Sequence, residues 1–177
     1  MVDKILVALD RDDSCRRLYD QAVALAQSTQ ASLMLLSVLT PDGDGSLAIP
    51  SFSGSGYYPI SMDQNLWEVY TERYREYEMA GLRQLRSFTD SATAVGVQTE
   101  FTQVSGNPGP AICKLAKTWN ADLIMVGSHG RKGLNEMLMG SVSNYVVHHA
   151  PCSVLVVHKS NLTDTNAPKA ELADIER

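Results

Sequence analysis

Four short runs of this sequence are almost wholly apolar and rich in branched residues, and they limit the possible folds more than any other feature. They are Lys4–Leu9, Ser32–Leu39, Leu123–Val126 and Ser153–Val157. A strand with one wet face alternates apolar and polar residues, whereas a strand covered on both faces has no such need. Runs of this kind are expected in a parallel sheet with helices against both sides. A fifth run, Val97–Val104, does alternate, with Val97, Thr99, Phe101 and Gln103 on one side. That pattern suits a strand nearer the edge of the sheet.

Between the runs the apolar period becomes helical. Cys15, Leu18, Ala22, Leu25 and Ala26 recur at helical spacing, with Asp12, Asp13 or Ser14 available as the cap. A long second helix is expected from near Ser61. Its stripe runs through Leu66, Trp67, Tyr70, Tyr74, Tyr77, Gly81, Leu82, Leu85 and Phe88, and reads as core or interface rather than as a cofactor surface. Pro110 suits the first turn of a third helix carrying Ile112, Leu115, Ala116 and Trp119. A fourth is expected over Ser141–His149, stopping before Pro151 because the residue ahead of a proline avoids helical angles.

Strand and helix alternate without an internal repeat, which predicts one α/β domain with a mostly parallel sheet. Two stretches break the rhythm. Residues 40–59 are rich in glycine, serine and proline and read as a long surface loop after the second strand. Residues 159–177 are polar and aperiodic, and a loosely ordered tail is expected there.

Composition excludes several functions. With 15 basic and 20 acidic residues the net charge is −5, which argues against a general nucleic-acid binder. No apolar run approaches the roughly 20 residues of a membrane-spanning helix. The opening apolar stretch is too short and strand-like for a secretory signal, so a cytoplasmic domain is expected. Cys15, Cys113 and Cys152 contain no CxxC pair, which removes zinc-ribbon and thioredoxin-type readings and leaves small core residues. His148 and His149 are adjacent and on a helix point about 100° apart, so they are poorly placed to share a metal ion.

In an open parallel sheet, ligands bind beyond the carboxyl ends of the strands, where the strand order reverses. The segments to read are therefore those that follow each strand. After the fourth run comes Gly127-Ser128-His129-Gly130-Arg131-Lys132-Gly133, and Gly140-Ser141 then opens the last helix. Glycines let backbone approach a ligand, and a helix amino terminus offers unpaired N–H groups with partial positive charge. Ser141 and Ser143 can add hydroxyl donors, and Arg131 and Lys132 can offset phosphate charge. Taken singly, these glycines could equally serve a turn and Ser141 a cap. The Walker pattern, the kinase signatures and the GxSxG elbow are all absent. Gly43-Asp44-Gly45-Ser46-Leu47-Ala48 matches the loose GxGxx[GA] pattern but leads to Pro50 and more glycine instead of a helix.

Gly127-x2-Gly130-x9-Gly140-Ser141 resembles the G-x2-G-x9-G-[ST] pattern of the ATP-binding universal stress proteins. Lys4–Asp10, Ala121–Gly127 and His148–Val157 resemble the same family, in the same order, so the likeness spans roughly residues 2–158. The resemblance implies an open five-stranded parallel sheet in the order 3-2-1-4-5 with helices on both faces, of Rossmann-like type. It puts the cleft between Asp10 and Gly127. It places Asp10, with Ala8, Leu9 and Met125, near the nucleotide and the adenine on the backbone at Val38. The phosphates would lie on Gly127, His129, Gly130 and Arg131 and on Gly140, Ser141, Val142 and Ser143. ATP, AMP or another adenine nucleotide is the implied ligand, with magnesium or manganese carried by the phosphates. The implied role is a nucleotide-dependent sensor or switch in the stress response, and a homodimer through residues 153–158 is expected. A slow ATPase or autophosphorylating protein is the alternative, although Asp10, Asp12, Asp13 and His129 show no recognisable catalytic spacing. The loop over residues 40–59 is longer than is common in the family, and the tail after His158 lies outside the resemblance.

Overall fold

The computed structural model describes residues 1–10, 14–40, 64–128 and 139–158. Within them five strands run parallel: β1 (Lys4–Ala8), β2 (Ser32–Leu39), β3 (Thr99–Ser105), β4 (Leu123–Gly127) and β5 (Ser153–Val157). They form one sheet in the order β3-β2-β1-β4-β5, as the resemblance implies. The helices α1 (Ser14–Thr29), α2 (Gln64–Ala94), α3 (Pro108–Trp119) and α4 (Ser141–His149) connect them.

The apolar runs take the positions their composition demands. Ile5, Leu6 and Val7 of β1 have no exposed surface at all. Successive side chains of a strand point to opposite faces, and here the faces are covered by different helices. Ile5, Val7, Leu33, Leu35 and Met125 pack with Leu18, Ala22, Leu85 and Phe88 of α1 and α2. Leu6, Met34, Leu36, Ile124 and Val126 pack with Ile112 and Ala116 of α3 and Val146 of α4. The aromatic stripe of α2 faces the sheet, with Tyr77 and Phe88 buried and Tyr70 and Tyr74 half-buried near Leu39. Tyr19 stacks on Phe88 at 4.3 Å and donates to its carbonyl at 2.7 Å, joining α1 to α2.

Two elements depart from expectation. The β5 run is apolar throughout, yet it is an edge strand and Leu155 is 41% exposed. Local composition does not report whether a helix reaches that far along the sheet. Strand β3 begins at Thr99 rather than Val97, because the Val97 N–H closes the end of α2 on the Ala92 carbonyl at 3.0 Å. Gly96, at φ 84°, makes that turn possible. Helix α3 starts at Pro108, which leaves Pro110 in its first turn as expected. Helix α4 has its expected limits, and Ala150 leaves it at φ −64°, ψ 142° ahead of Pro151. The expected start of α2 at Ser61, the caps Asp12 and Asp13, residues 41–59 of the loop and the tail lie outside the described residues.

None of the three cysteines forms a disulfide. Burial pushes the thiols of Cys113 and Cys152 up, in keeping with packed core residues rather than reactive ones. No helix among the described residues is long and apolar enough to cross a membrane.

The amino ends of β1 and β4 are tied by Asp122. Its Oδ2 accepts the N–H groups of Asp3 and Lys4, each at 2.9 Å, while its own N–H donates to the Lys4 carbonyl at 2.9 Å. These two donors hold the carboxyl below its ordinary value of 3.8. A carboxylate lowered on folding stabilises the native state above the ordinary value and loses that contribution as pH falls through the lowered one. Asp122→Ala is therefore expected to lower Tm at neutral pH, with the gap to wild type narrowing as the pH drops below 3.8. Thermal melts across a pH series check this, and a gap that stays constant or widens in acid contradicts it.

Candidate functional site

The chain leaves β1 toward β2 on one side and leaves β4 toward β5 on the other, so the two strands part at their carboxyl ends. A crevice at such a point is where open parallel sheets accept ligands. Strand β1 brings Ala8 there, paired with Leu36 and Val126, and Asp10 follows, half-buried. Strand β4 brings Gly127, paired with Val157, and then Ser128, whose N–H donates to the Val157 carbonyl at 2.9 Å.

Helix α4 begins at the same edge. The Gly140 N–H donates to the Ser128 carbonyl at 2.7 Å, and the first intrahelical bond runs from the Asn144 N–H to the Gly140 carbonyl at 2.9 Å. The amides of Ser141, Val142 and Ser143 therefore precede the helical ladder, at the positive end of the helix dipole. Ser141 is exposed and Val142 half-buried. On the α3–α4 face of the sheet, Ala8, Val38, Val104 and Val156 are half-buried and make a low apolar floor. Amide donors beside an apolar floor suit a molecule with an anionic end and a flat apolar end.

Ala8, Asp10, Gly127, Gly140, Ser141 and Val142 thus gather at one edge, with Val38 one strand away from β1. Leu9 and Met125 belong to the core under α1 and α2, and the Met125 side chain is only 1% exposed. Any contact they make with a ligand at this edge falls to their backbone. Ser143 is also buried, with its hydroxyl 2.9 Å from the Gly140 carbonyl and 3.2 Å from the Ser128 carbonyl. His129, Gly130 and Arg131 lie outside the described residues. In the sequence Ser128 is one residue of the glycine loop, yet its carbonyl receives both Gly140 and Ser143. No spacing rule in the sequence flags that residue.

The glycines carry different constraints. Among the described glycines only Gly96 and Gly106 have positive φ, so neither Gly127 nor Gly140 sits in the left-handed region. Gly140 adopts φ −58°, ψ 154°, which any residue can reach. Its lack of a side chain is therefore not a backbone requirement.

Residues 1–158 match the family model described as the universal stress protein family. The chain belongs to that family. It is 37% identical over 154 residues to universal stress protein Sll1388 of Synechocystis, a match covering 87% of this chain and 96% of the relative. A solved structure of hypothetical protein MJ0577 superimposes with a TM-score of 0.72 at 23% identity, covering 91% of this chain and 99% of that one. That likeness concerns the fold. A universal stress protein solved in complex with cAMP is 26% identical, with a TM-score of 0.59 over 90% of this chain and 98% of its own.

Because its backbone angles are ordinary, Gly140→Ala is expected to fold as wild type does. Its stability should change by about 1 kcal/mol or less, since alanine caps less well than glycine but restricts the unfolded chain more. A urea titration checks this, and a loss well beyond that range would show that the position is structurally strained.

Proposed function

We propose that this chain binds an adenine nucleotide, ATP in the first instance, and acts as a nucleotide-dependent switch in the stress response. The observation that carries the reading is the meeting of the α4 amino terminus with the parted ends of β1 and β4. Phosphate suits the amides of Ser141, Val142 and Ser143, and the family pattern adds Gly127, His129, Gly130 and Arg131 as its further contacts. The base suits the apolar floor and the backbone at Val38, with Ala8, Leu9, Asp10 and Met125 contributing from β1 and β4. A relative with bound cAMP supports an adenine ligand in this fold. Magnesium or manganese would arrive on the phosphates, since such hard ions need few protein ligands.

A switch must exist in more than one assembly or partner state, and β5 offers a surface for it. The strand is an apolar edge, and exposed edges of this kind invite pairing. Pairing of residues 153–158 with the same strand of a second copy, in a cytoplasmic homodimer, completes the reading.

Calorimetry with ATP, alongside a measurement of turnover, tests it in wild type and Gly140→Ala. Wild type is expected to bind ATP without sustained hydrolysis, and Gly140→Ala to bind at least about tenfold more weakly, the cost of displacing a phosphate from its amide donors. Failure of wild type to bind ATP, AMP or cAMP contradicts the cleft assignment. Multiple-turnover hydrolysis abolished by Gly140→Ala replaces the switch with an ATPase.

Sedimentation tests the assembly. Leu155→Lys places a charge on the exposed edge strand and is expected to convert a dimer at micromolar concentration into a monomer, with little change in ATP affinity. A wild type that sediments as a monomer at that concentration overturns the β5 pairing.

A further inference from the structure

We propose that Ser143 is a positioning residue whose hydroxyl clasps the start of α4 to the end of β4, and so sets the amides that receive phosphate; this rests on the nucleotide reading above. The hydroxyl lies 2.9 Å from the Gly140 carbonyl and 3.2 Å from the Ser128 carbonyl. The first contact is the back-bond that a serine early in a helix commonly makes to the preceding turn. The second is different in kind, because it reaches 15 residues back along the chain to another element.

Ser128 is the fixed point of the arrangement. Its N–H is held by the Val157 carbonyl of β5 at 2.9 Å, and its carbonyl accepts the Gly140 N–H at 2.7 Å. The Ser143 hydroxyl also reaches that carbonyl, sharing its one proton between it and the Gly140 carbonyl. The first turn of α4 is thereby indexed to β4 and β5 through two donors one helical turn apart. The Gly140–Ser128 bond thus joins the start of α4 directly to the residue that follows β4.

Ser143 is itself only 2% exposed. Its single hydroxyl proton, directed to carbonyl oxygens, is not available to a phosphate oxygen at the same time. Ser141, two residues earlier, is exposed whereas Ser143 is buried against the two carbonyls, so the two hydroxyls of this turn do different work. Ser141 can meet the ligand; Ser143 holds the amides in place for it.

The test separates a clasp from a direct ligand by reading the protein before any nucleotide is added. Amide exchange at Gly140 is followed by NMR in the nucleotide-free full chain, for wild type, Ser143→Ala, Ser143→Thr and Ser141→Ala. ATP and adenosine are then titrated into each. Ser143→Ala is expected to speed Gly140 exchange about tenfold, as loss of one buried hydrogen bond implies. The same variant should weaken ATP about tenfold while leaving adenosine within about twofold, because only the phosphates use the positioned amides. Ser143→Thr restores the hydroxyl and is expected to recover both; Ser141→Ala should leave Gly140 exchange unchanged. Thermal melts confirm that each variant is folded.

Unchanged Gly140 exchange in Ser143→Ala, with ATP binding lost, overturns the clasp and makes the hydroxyl a direct ligand. Faster exchange with ATP affinity intact overturns the positioning role. A wild type that binds neither ATP nor adenosine overturns the nucleotide reading instead, and the exchange comparison still decides whether the clasp exists.

Discussion

The pairing of β1 with both β2 and β4 is the constraint on which the remainder of the structure depends. Ile5–Ala8 is bonded on both edges, to Leu33–Leu36 and to Leu123–Val126, while helices cover both of its faces. A strand so enclosed exposes no backbone donor or acceptor, and its side chains can be apolar without exception. From this strand the chain builds outward to β3 on one side and to β5 on the other. The reversal of direction that places β4 beside β1 also opens the crevice at their carboxyl ends. Fold and cleft therefore have one cause.

The two ends of the β1–β4 seam are treated in opposite ways. At the amino end Asp122 closes the seam, tying Asp3 and Lys4 to the start of β4 by three hydrogen bonds. At the carboxyl end the strands separate, and the bonds of Ser128 go to β5 and to the start of α4. A seam fastened at one end can part at the other without losing its register. Among the described residues, the groups that β4 and α4 bring to the opening are chiefly backbone amides and carbonyls, already held by neighbouring elements and so needing little ordering on binding.

Much of this was legible in the sequence, and the reasons are local. Apolar runs and their alternation report how many faces of a strand are covered, so β1, β2 and β4 could be read directly. Proline at 110 and 151 and the apolar period placed α3 and α4 to within two residues. The strand order came from the family resemblance, because periodicity says nothing about which strand lies beside which. Periodicity also failed where a residue's fate depends on a distant neighbour. Val97 fits the strand pattern, but its amide is spent on the end of α2. The β5 run fits a doubly covered strand, but Leu155 is exposed. At the site the same limit separates residues by side-chain direction: Met125 is adjacent to the edge in sequence yet turned into the opposite core. The meeting of Ser128 and Ser143 is a contact across 15 residues, for which sequence spacing carries no signal.

An acidic protein with net charge −5 is at first sight an unfavourable host for a polyanion. The difficulty is smaller than the count suggests, because the overall charge acts through solvent and is screened within roughly 10 Å at moderate salt. Helix amides at the crevice act at hydrogen-bond distance, and their partial charge does not titrate. Asp10 lies near the opening and would repel phosphate if the two met directly. On the proposed binding mode they do not: the carboxylate stands on the β1 side with the base and sugar, while the phosphates lie against α4. On that mode, the width between β1 and the α4 amino terminus would let one crevice accept a carboxylate and a polyphosphate together. Whatever fixes the position of α4 relative to β4 would then also fix how far the phosphates stand from Asp10, so that the proposed mode makes the placement of that helix, more than the number of basic residues, the quantity on which affinity turns.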